Sequence, residues 1–177
     1  MIRVRDDDVL LPSRGHADPE GRFREVHEMI ISHKAHHVPA ILCGEIQAFP
    51  DTIHYIKKEI KRGNLTPELH GWKHINYGNL SEADIRKNLG YCLEWFIATF
   101  EQRPSIFYTP WGANSLLIQR VAAEYDLQMV DCSSIITPRT IQKSPEKYRG
   151  NQDIEIFIHW WEGINRLNGA LKILNNV

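Results

Sequence analysis

The chain has 177 residues, a length typical of one domain whose core needs no disulfide or metal for stability, so we predict a single domain over 1–177. Its 21 Lys and Arg residues nearly balance 22 Asp and Glu residues. The resulting net charge of −1 gives no general attraction to nucleic acid or to an anionic membrane. A content of 42% hydrophobic and 24% charged residues excludes a disordered chain.

The sequence lacks two further features that would place the protein outside the cytoplasm. No apolar run approaches the 18 or so residues of a membrane span, and the first residues lack the apolar stretch of a signal peptide. Three cysteines, Cys43, Cys92 and Cys132, are widely spaced and form neither a C-x-x-C pair nor an even disulfide framework. We therefore expect a cytoplasmic protein with reduced, buried cysteines and no membrane partner.

Short apolar runs alternate with amphipathic stretches along the first half of the chain. The pattern predicts a strand at 1–4, a helix at 23–37, a strand at 38–44, a helix at 51–62 and a strand at 67–71. Gly63 is a typical stop just beyond the second of these helices.

The same alternation continues through the second half. Ser81 opens a capping-box pattern and predicts a long helix to about residue 102. A strand at 106–108, a helix at 114–125, strands at 127–132 and 154–159, and a helix at 164–174 follow. Strands that alternate with helices form a parallel sheet with right-handed crossovers, either open or closed into a barrel. We therefore predict an α/β fold.

Ionisable residues follow several of the predicted strands, and the carboxyl ends of parallel strands are where such folds place their chemistry. The residues found there are Asp6, Asp7 and Asp8, then His70 and His74, then the segment 108–112, then Asp131, and finally His159. Two carboxylates, an H-x-x-x-H pair and a late histidine are the parts of a metal-dependent hydrolase, because zinc accepts imidazole nitrogen and carboxylate oxygen.

Each of these features has an ordinary structural explanation when it is taken alone. Histidines four residues apart share a helical face or converge from a tight turn, which Gly71 would permit, but they also occur in solvated turns. Aspartates after a strand often form turns or caps, and a single histidine on an apolar strand is often part of the core. The metal-site hypothesis therefore depends on the occurrence of all of them in the right order.

The other six histidines do not fall at strand ends. They lie in the first predicted loop or on predicted helices, where solvated surface is the expected environment: His16, His27, His33, His36, His37 and His54.

The ordered motifs resemble those of the NodB-homology polysaccharide deacetylases, carbohydrate esterase family 4. The family's paired aspartates resemble Asp7 and Asp8, and its H-[ST]-x-x-H motif resembles residues 70–74. Its R-x-P-x-G motif is similar to residues 108–112, its fourth motif to the region of Asp131, and its final histidine motif to 157–159. The resemblance spans nearly the whole chain, from residue 4 to about residue 160.

The resemblance implies a distorted (β/α) barrel with about seven or fewer strands, of a minimal NodB-homology type. It implies a divalent metal, usually Zn²⁺ with Co²⁺, Ni²⁺ or Mn²⁺ as alternatives, held by Asp8, His70 and His74. The reaction it implies is removal of an N-acetyl or O-acetyl group from a sugar or oligosaccharide, with Asp7 as general base and His159 as general acid.

Further site residues follow from the same resemblance. Substrate or oxyanion contacts are implied for the segment Tyr108, Pro110, Trp111 and Gly112, with the backbone N–H around Trp111 beside the metal. Asp131 is implied as the carboxylate that orients the imidazole of His159.

The chain departs from the family pattern at three positions. Gly71 replaces a Ser or Thr, and Cys132 follows Asp131 where the family has Trp. Tyr108 replaces an Arg that contacts the base aspartate in the family, and a neutral hydroxyl cannot supply a charged fork. Either Arg5 or Arg139 holds the base instead, or the activity is reduced or redirected.

Four tryptophans lie within two residues of these positions and could form sugar-stacking surfaces or simply pack: Trp72, Trp111, Trp160 and Trp161. Two other functions stay open at this point. One is a hydrolase of the same scaffold that acts on a small C–N substrate such as a formamido sugar or a cyclic amide. The other is a degenerate module that binds sugar or metal without turnover, and the Tyr108 substitution is the feature in its favour.

Overall fold

The computed structural model describes residues 1–10, 17–130, 135–150 and 153–175. Within these ranges the chain forms six strands: β1 (Ile2–Asp7), β2 (His36–Leu42), β3 (Glu68–Gly71), β4 (Ile106–Phe107), β5 (Gln128–Met129) and β6 (Ile154–His159). The α-helices there are α1 (Pro19–Ser32), α2 (Pro50–Lys61), α3 (Glu82–Phe100), α4 (Leu116–Glu124), α5 (Pro138–Lys143), α6 (Pro145–Tyr148) and α7 (Ile164–Asn175). Short 3₁₀ turns occupy Ile46–Ala48, Tyr77–Asn79 and Pro110–Gly112.

The six strands form one parallel sheet in the order β5-β4-β3-β2-β1-β6. The sheet curls strongly. Tyr108, directly after β4, brings its hydroxyl within 3.4 Å of the Glu155 carboxylate on β6, although three strands separate β4 from β6 in the sheet order. Beyond β5, the Ile136 carbonyl accepts a 2.8 Å hydrogen bond from the Phe157 N–H of β6. The sheet is therefore a half-barrel surrounded by helices, and the prediction of a distorted (β/α) barrel is confirmed.

Apolar side chains on the outer face of the sheet pack against the helices in two clusters. One centres on α3 and α4 over the middle of the sheet, and the other on α1 and α7 over β1 and β6. Among the described residues, the inner face has a small apolar cluster made by Val38, Ala40 and Tyr108, with Ile106 and Val130 packed against it. Polar side chains are therefore buried inside the curl, where they can build a site.

The helix boundaries follow local chemistry. Asp18 accepts a hydrogen bond from the Gly21 N–H at the start of α1, and the Ser81 hydroxyl accepts one from the Asp84 N–H at the start of α3. The prediction that this helix begins at a Ser81 cap is confirmed. Glu101 ends α3 with a left-handed backbone, φ +59°.

The predicted end of the first helix is wrong, and two short helices were missed. The first helix ends at Ser32 and not at residue 37, because Lys34 adopts φ +57° and the chain then enters β2 at His36. The short helices α5 and α6 were not predicted, since they are too short for a helical apolar period to show.

The surface prediction is also wrong for two histidines. His27 on α1 and His37 on β2 are fully buried between helix and sheet. Their Nδ1 atoms lie 3.0 Å apart, and His27 Nε2 lies 3.5 Å from the Glu59 carboxylate. Burial lowers the pKa of both imidazoles. Two buried imidazoles in contact can supply a hydrogen-bond partner to each other. The amino-acid composition does not show that two histidines pair in this way. His16 lies outside the described residues.

In the described ranges no helix has the length and apolar character needed to cross a membrane. Cys43 and Cys92 are buried free thiols, as expected, and Cys132 lies outside the described residues.

The buried imidazoles predict an acid-sensitive stability. Because the folded-state pKa of His27 is lowered, the unfolded chain binds a proton first as the pH falls through about 6.5, and the free energy of unfolding falls with it. We expect His27→Phe to reduce the stability lost between about pH 7.5 and 5.5 by ~1 kcal/mol. Urea unfolding at both pH values measures this. His54→Phe, at an exposed position on α2, is the control and should keep the wild-type pH dependence. An unchanged pH dependence in His27→Phe would contradict the prediction.

Candidate active site

The three consecutive aspartates at the end of β1 occupy three different environments. Asp6 is fully buried, with its carboxylate 3.6 Å from His37 Nε2, and burial together with the charge of Asp7 raises its pKa well above the usual range. Asp7 points into the half-barrel beside Arg5, because residues two apart in a strand share a face. Asp8 follows the strand with φ +57°, and its carbonyl accepts a 2.7 Å hydrogen bond from the indole N–H of Trp160. This turn aims the Asp8 carboxylate at the strand ends of the half-barrel.

An irregularity in β3 sets the orientation of the His70 side chain. In the ladder with β2, Ile41 pairs with Leu69 and the next residue, Leu42, pairs with Gly71, so the ladder skips His70. Such a bulge re-aims one side chain. The Nδ1 atom of His70 lies 2.5 Å from the Tyr108 carbonyl oxygen, which assigns the proton of a neutral ring to Nδ1 and leaves the Nε2 lone pair free to bind.

Gly71 allows the chain to turn between the two histidines. Its φ is +105°, a conformation that a residue with a Cβ rarely adopts, and an added Cβ would lie 2.7 Å from the Tyr77 hydroxyl. The Gly71 carbonyl accepts a 2.8 Å hydrogen bond from the Cys43 N–H, which fixes this turn to the end of β2. The expected permissive role of Gly71 agrees with this geometry.

Three donor atoms converge at the carboxyl ends of the strands. Asp8 Oδ1 lies 2.9 Å from His70 Nε2 and 2.9 Å from His74 Nε2, and Asp8, His70 and His74 form a group able to hold a metal ion. Burial alone would raise the pKa of Asp8, but the contacts with the His70, His74 and His159 imidazoles lower it when those rings are charged.

The residues present fit a divalent cation. With its Nδ1 proton directed at Tyr108, a neutral His70 presents a lone pair to the Asp8 oxygen, so two acceptors face each other at 2.9 Å. A cation between them satisfies both, and its ligands would be one carboxylate and two imidazoles, the donor set that zinc takes in open catalytic sites. The structure thus brings together the three residues that the sequence had grouped, and their role as metal ligands stays a prediction.

Asp7 and His159 face each other across two neighbouring strands. They are paired in the β1–β6 ladder, and His159 Nε2 lies 3.9 Å from Asp8 Oδ2. Both side chains line a cavity of about 410 Å³ together with Asp8, His70 and His74. The predicted base and acid positions thus flank the metal-type group.

The carboxylate of Asp7 is held by Arg5. Arg5 Nε donates to Asp7 Oδ1 at 2.8 Å and Arg5 Nη2 to Asp7 Oδ2 at 2.5 Å, a bidentate fork with both residues buried. Of the two arginines left open by the sequence, Arg5 makes this contact, whereas Arg139 is an exposed residue of α5.

Tyr108 does not take over the role of the missing arginine by its hydroxyl. The ring lies under the Arg5 guanidinium, 4.0 Å from ring centroid to Cζ, and the hydroxyl is 3.4 Å from Glu155. Burial raises the pKa of this phenol above its usual range. Tyr108 therefore supports Arg5 with its ring and His70 with its carbonyl.

His159 contacts two side chains that follow it in the sequence. Its Nδ1 lies 3.3 Å from Glu162 Oε1, and its ring stacks on Trp161 with centroids 4.5 Å apart. The contact with His159 Nδ1 lowers the pKa of Glu162. Sequence reasoning missed Glu162, and its position three residues after the histidine was the available signal. Asp131, expected as the orienting carboxylate, lies outside the described residues.

The segment after β4 forms the opposite rim. Pro110 is buried, while Trp111 has φ +61° and its side chain is 68% exposed, with the indole centroid 5.0 Å from that of His74. The Gly112 N–H donates to the Thr109 carbonyl at 3.1 Å, so this amide is used inside the turn. Of the other tryptophans near the site, Trp160 is buried and Trp72 is half-buried, which favours packing for both.

The fold and the site together define a distorted (β/α) barrel with a candidate metal centre at the carboxyl ends of its strands. The family model for polysaccharide deacetylases matches residues 19–130. The chain therefore belongs to the polysaccharide deacetylase family, as the motifs predicted. Asp7, Asp8 and His159 lie outside the matched range, and the strands bring them to its histidines.

Solved structures share the fold at low sequence identity. A family 4 carbohydrate esterase from Streptomyces lividans, solved with acetate, is 15% identical with a TM-score of 0.70 over 98% of this chain and 85% of that chain. The peptidoglycan deacetylase PdaC from Bacillus subtilis is 17% identical with a TM-score of 0.70 over 98% and 81%.

A pseudoenzyme of the same esterase family from Bacillus anthracis is 14% identical, with a TM-score of 0.72 over 98% of this chain and 60% of that chain. The fold thus occurs in enzymes and in a pseudoenzyme, so the fold alone does not establish activity. No curated protein sequence matches this chain significantly.

The positive φ of Gly71 predicts a mutational effect on the site. Gly71→Ala should lower the free energy of unfolding by about 2–4 kcal/mol and weaken zinc binding. The new Cβ would clash with the Tyr77 hydroxyl, and the positive φ is unfavourable for alanine. Gly63→Ala is the matched control, since Gly63 has φ +73° with open space around it and measures the backbone cost alone, about 1 kcal/mol. Urea unfolding and zinc titration of both variants test this. Equal effects of the two substitutions would contradict it.

Proposed function

We propose that this protein is a divalent-cation-dependent hydrolase that removes an acetyl group from an N-acetylated, or O-acetylated, sugar. The observation that carries the proposal is the convergence of Asp8, His70 and His74 beside an Asp7–His159 pair in one cavity. A structural role for these groups would not require three metal-type donors next to two further ionisable side chains at the carboxyl edge of a parallel sheet.

Asp8, His70 and His74 would hold the cation. Zn²⁺ matches the donor set best, and Co²⁺, Ni²⁺ and Mn²⁺ are alternatives. When bound, the cation would lower the pKa of water towards neutrality and polarise the acetyl carbonyl. The Tyr108 carbonyl orients the His70 ring for metal binding, and the Trp160 indole N–H fixes Asp8 by donating to the Asp8 backbone carbonyl.

Asp7 acts as the general base in this proposal. It takes a proton from the attacking water while Arg5 keeps its carboxylate in one orientation. The backbone N–H of Trp111 is the proposed donor to the negative charge that develops on the carbonyl oxygen, since the Gly112 N–H is engaged within the turn.

His159 acts as the general acid. It donates a proton to the nitrogen of the leaving amine as the C–N bond breaks, so the products are acetate and a free amino group. Glu162 at Nδ1 and the stacked Trp161 hold the ring in place from two sides. Asp131 stays a predicted orienting residue.

The aromatic rim of the cavity indicates the class of substrate. Trp111 lines the cavity and exposes flat aromatic surface beside His74, and sugar rings stack on such surfaces. The proposed partner is therefore an oligosaccharide or a small sugar, and the near-zero net charge agrees with an uncharged one.

A binding module without turnover is the rival function, and the missing motif arginine was its main support. Arg5 supplies a bidentate guanidinium to Asp7 from another strand position. This contact favours an enzyme, because the base has the charged partner that Tyr108 does not give it.

Metal content and acetate release together test the proposal. Purified protein should contain stoichiometric zinc, which His70→Ala loses and the exposed control His54→Ala retains in elemental analysis. Acetate released from N-acetylated chitooligosaccharides should fall at least ~100-fold in Asp7→Asn with metal retained. Asp126→Asn, at an exposed loop position, should keep wild-type activity.

Three outcomes would contradict the proposal. Unchanged zinc in His70→Ala would remove the metal group. Turnover of a formamido sugar or a cyclic amide, with every acetylated sugar inert, would establish the amidohydrolase alternative. Sugar binding without any hydrolysis by the zinc-loaded protein would establish the binding module.

A further inference from the structure

We propose that a second cavity, on the far side of His159 from the metal-type group, binds an anionic substituent, phosphate or carboxylate, of the sugar whose amine is released. Arg139 and Arg166 are the residues that would bind it. The inference rests on the proposed function, because that function places the sugar next to His159. It narrows the substrate to an acidic amino sugar.

The second cavity adjoins the candidate active site. It has a volume of about 460 Å³, a size typical of small-ligand sites, and lies at the end of β6 and the starts of α5 and α7. His159 lines both cavities. The segment after β5 also borders both, with Ile135 at the first cavity and Thr137 at the second. The two cavities are therefore neighbours on either side of His159.

The two nitrogens of the His159 ring face different cavities. Nε2 lies 3.9 Å from Asp8 Oδ2, on the side of the metal-type group. Nδ1 lies 3.3 Å from Glu162 Oε1, and Glu162 lines the second cavity. In the proposed reaction the acetyl carbonyl lies at the cation and the leaving nitrogen at His159. The rest of the sugar then extends past His159, towards the second cavity.

The rim of the second cavity carries an excess of positive charge. Arg139 at the start of α5 and Arg166 in the first turn of α7 both line it, and both are exposed. Neither forms an ion pair with a carboxylate of the described part of the chain. Glu162 is engaged by His159, which is the main cause of its lowered pKa, and the charge of Arg166 adds to that effect. Two guanidinium groups thus face one carboxylate, which leaves positive charge for an anion.

Close packing of α5 against α7 fixes the spacing of the two arginines. Gln142 Nε2 donates to the Arg166 carbonyl at 2.9 Å. A Cβ added at Gly169 would lie 2.5 Å from the same amide nitrogen, so the absence of a side chain there permits this contact. The two helices therefore hold Arg139 and Arg166 on one cavity.

The floor of the second cavity is apolar. Val26, Ile158 and Leu167 line it and are buried. Small-ligand sites combine such a floor with a few polar groups that fix the orientation of the ligand. Guanidinium groups bind phosphate and carboxylate more strongly than they bind neutral oxygen. The net charge of −1 on the whole chain does not oppose this preference, since it comes from two local side chains.

Sugar binding to Asp7→Asn with zinc added tests the inference without turnover. Isothermal titration calorimetry compares neutral N-acetylglucosamine with its 1-phosphate, its 6-phosphate and N-acetylmuramic acid, which carries a carboxylate. We expect at least one acidic sugar to bind about tenfold more tightly than the neutral sugar at low salt, and less so at high salt. The acidic sugar that binds most tightly distinguishes phosphate from carboxylate.

Substitution of the two arginines in the same background locates the preference. Arg139→Gln and Arg166→Gln should each weaken binding of the acidic sugar about three- to tenfold, and together they should abolish the preference. The neutral sugar should bind as before, which shows that the cavity is intact. Arg166→Lys keeps the charge and should keep part of the preference. Arg120→Gln is the matched control, since Arg120 is an exposed arginine of α4 that lines neither cavity, and it should change nothing.

The outcomes separate this inference from the proposed function. Equal binding of neutral and acidic sugars would overturn the inference, and so would a preference that persists in Arg139→Gln/Arg166→Gln, which would assign the anion to the zinc. Acetate release by the wild type from neutral sugars alone would overturn the inference and leave the proposed function intact. An arginine-dependent preference without acetate release from any sugar would support the second cavity and overturn the proposed function. No binding of any sugar would overturn both.

Discussion

The buried ion pair between Arg5 and Asp7 is the interaction on which the inner face of the half-barrel depends. Burial of a charge costs several kcal/mol unless a partner compensates it, and here a bidentate fork does so. The guanidinium also contacts Tyr108 and Phe157, so one side chain on β1 links the end of β4 to β6 across the curl. The same contact fixes Asp7 opposite His159 and thereby connects the curvature of the sheet to the proposed chemistry.

The backbone geometry at the end of β1 places three identical side chains in three different environments. Strand alternation places Asp6 against the buried His37 and Asp7 against Arg5, and the positive φ of Asp8 turns its carboxylate to His70 and His74. The pKa values differ with these environments, because burial raises the pKa of Asp6 whereas the nearby imidazoles lower the pKa of Asp8. Charge count by itself carries no information about such a division.

The sequence predicted what depends on local periodicity and on motif order. The strand–helix alternation follows from local periodicity, whereas the barrel and the grouping of Asp8, His70 and His74 came from the order of the motifs and the family that they resemble. The support from Arg5 was left open, because it depends on how far β4 curls towards β1. The burial of His27 and His37 was missed for a related reason: α1 and β2 bury them against each other, and each had been assigned to solvent from its own segment. Long-range packing is thus what single-sequence reasoning lacked.

The central claim is that the two adjacent carboxylates have separate tasks, with Asp8 as ligand and Asp7 held by Arg5. Anomalous diffraction at the zinc absorption edge, from crystals of the zinc-loaded full chain, tests it most directly. The account predicts one strong anomalous peak within bonding distance, about 2.0–2.2 Å, of Asp8, His70 and His74, with Asp7 still forked by Arg5. A zinc ion bound by Asp7, or one located away from these three residues, would contradict it.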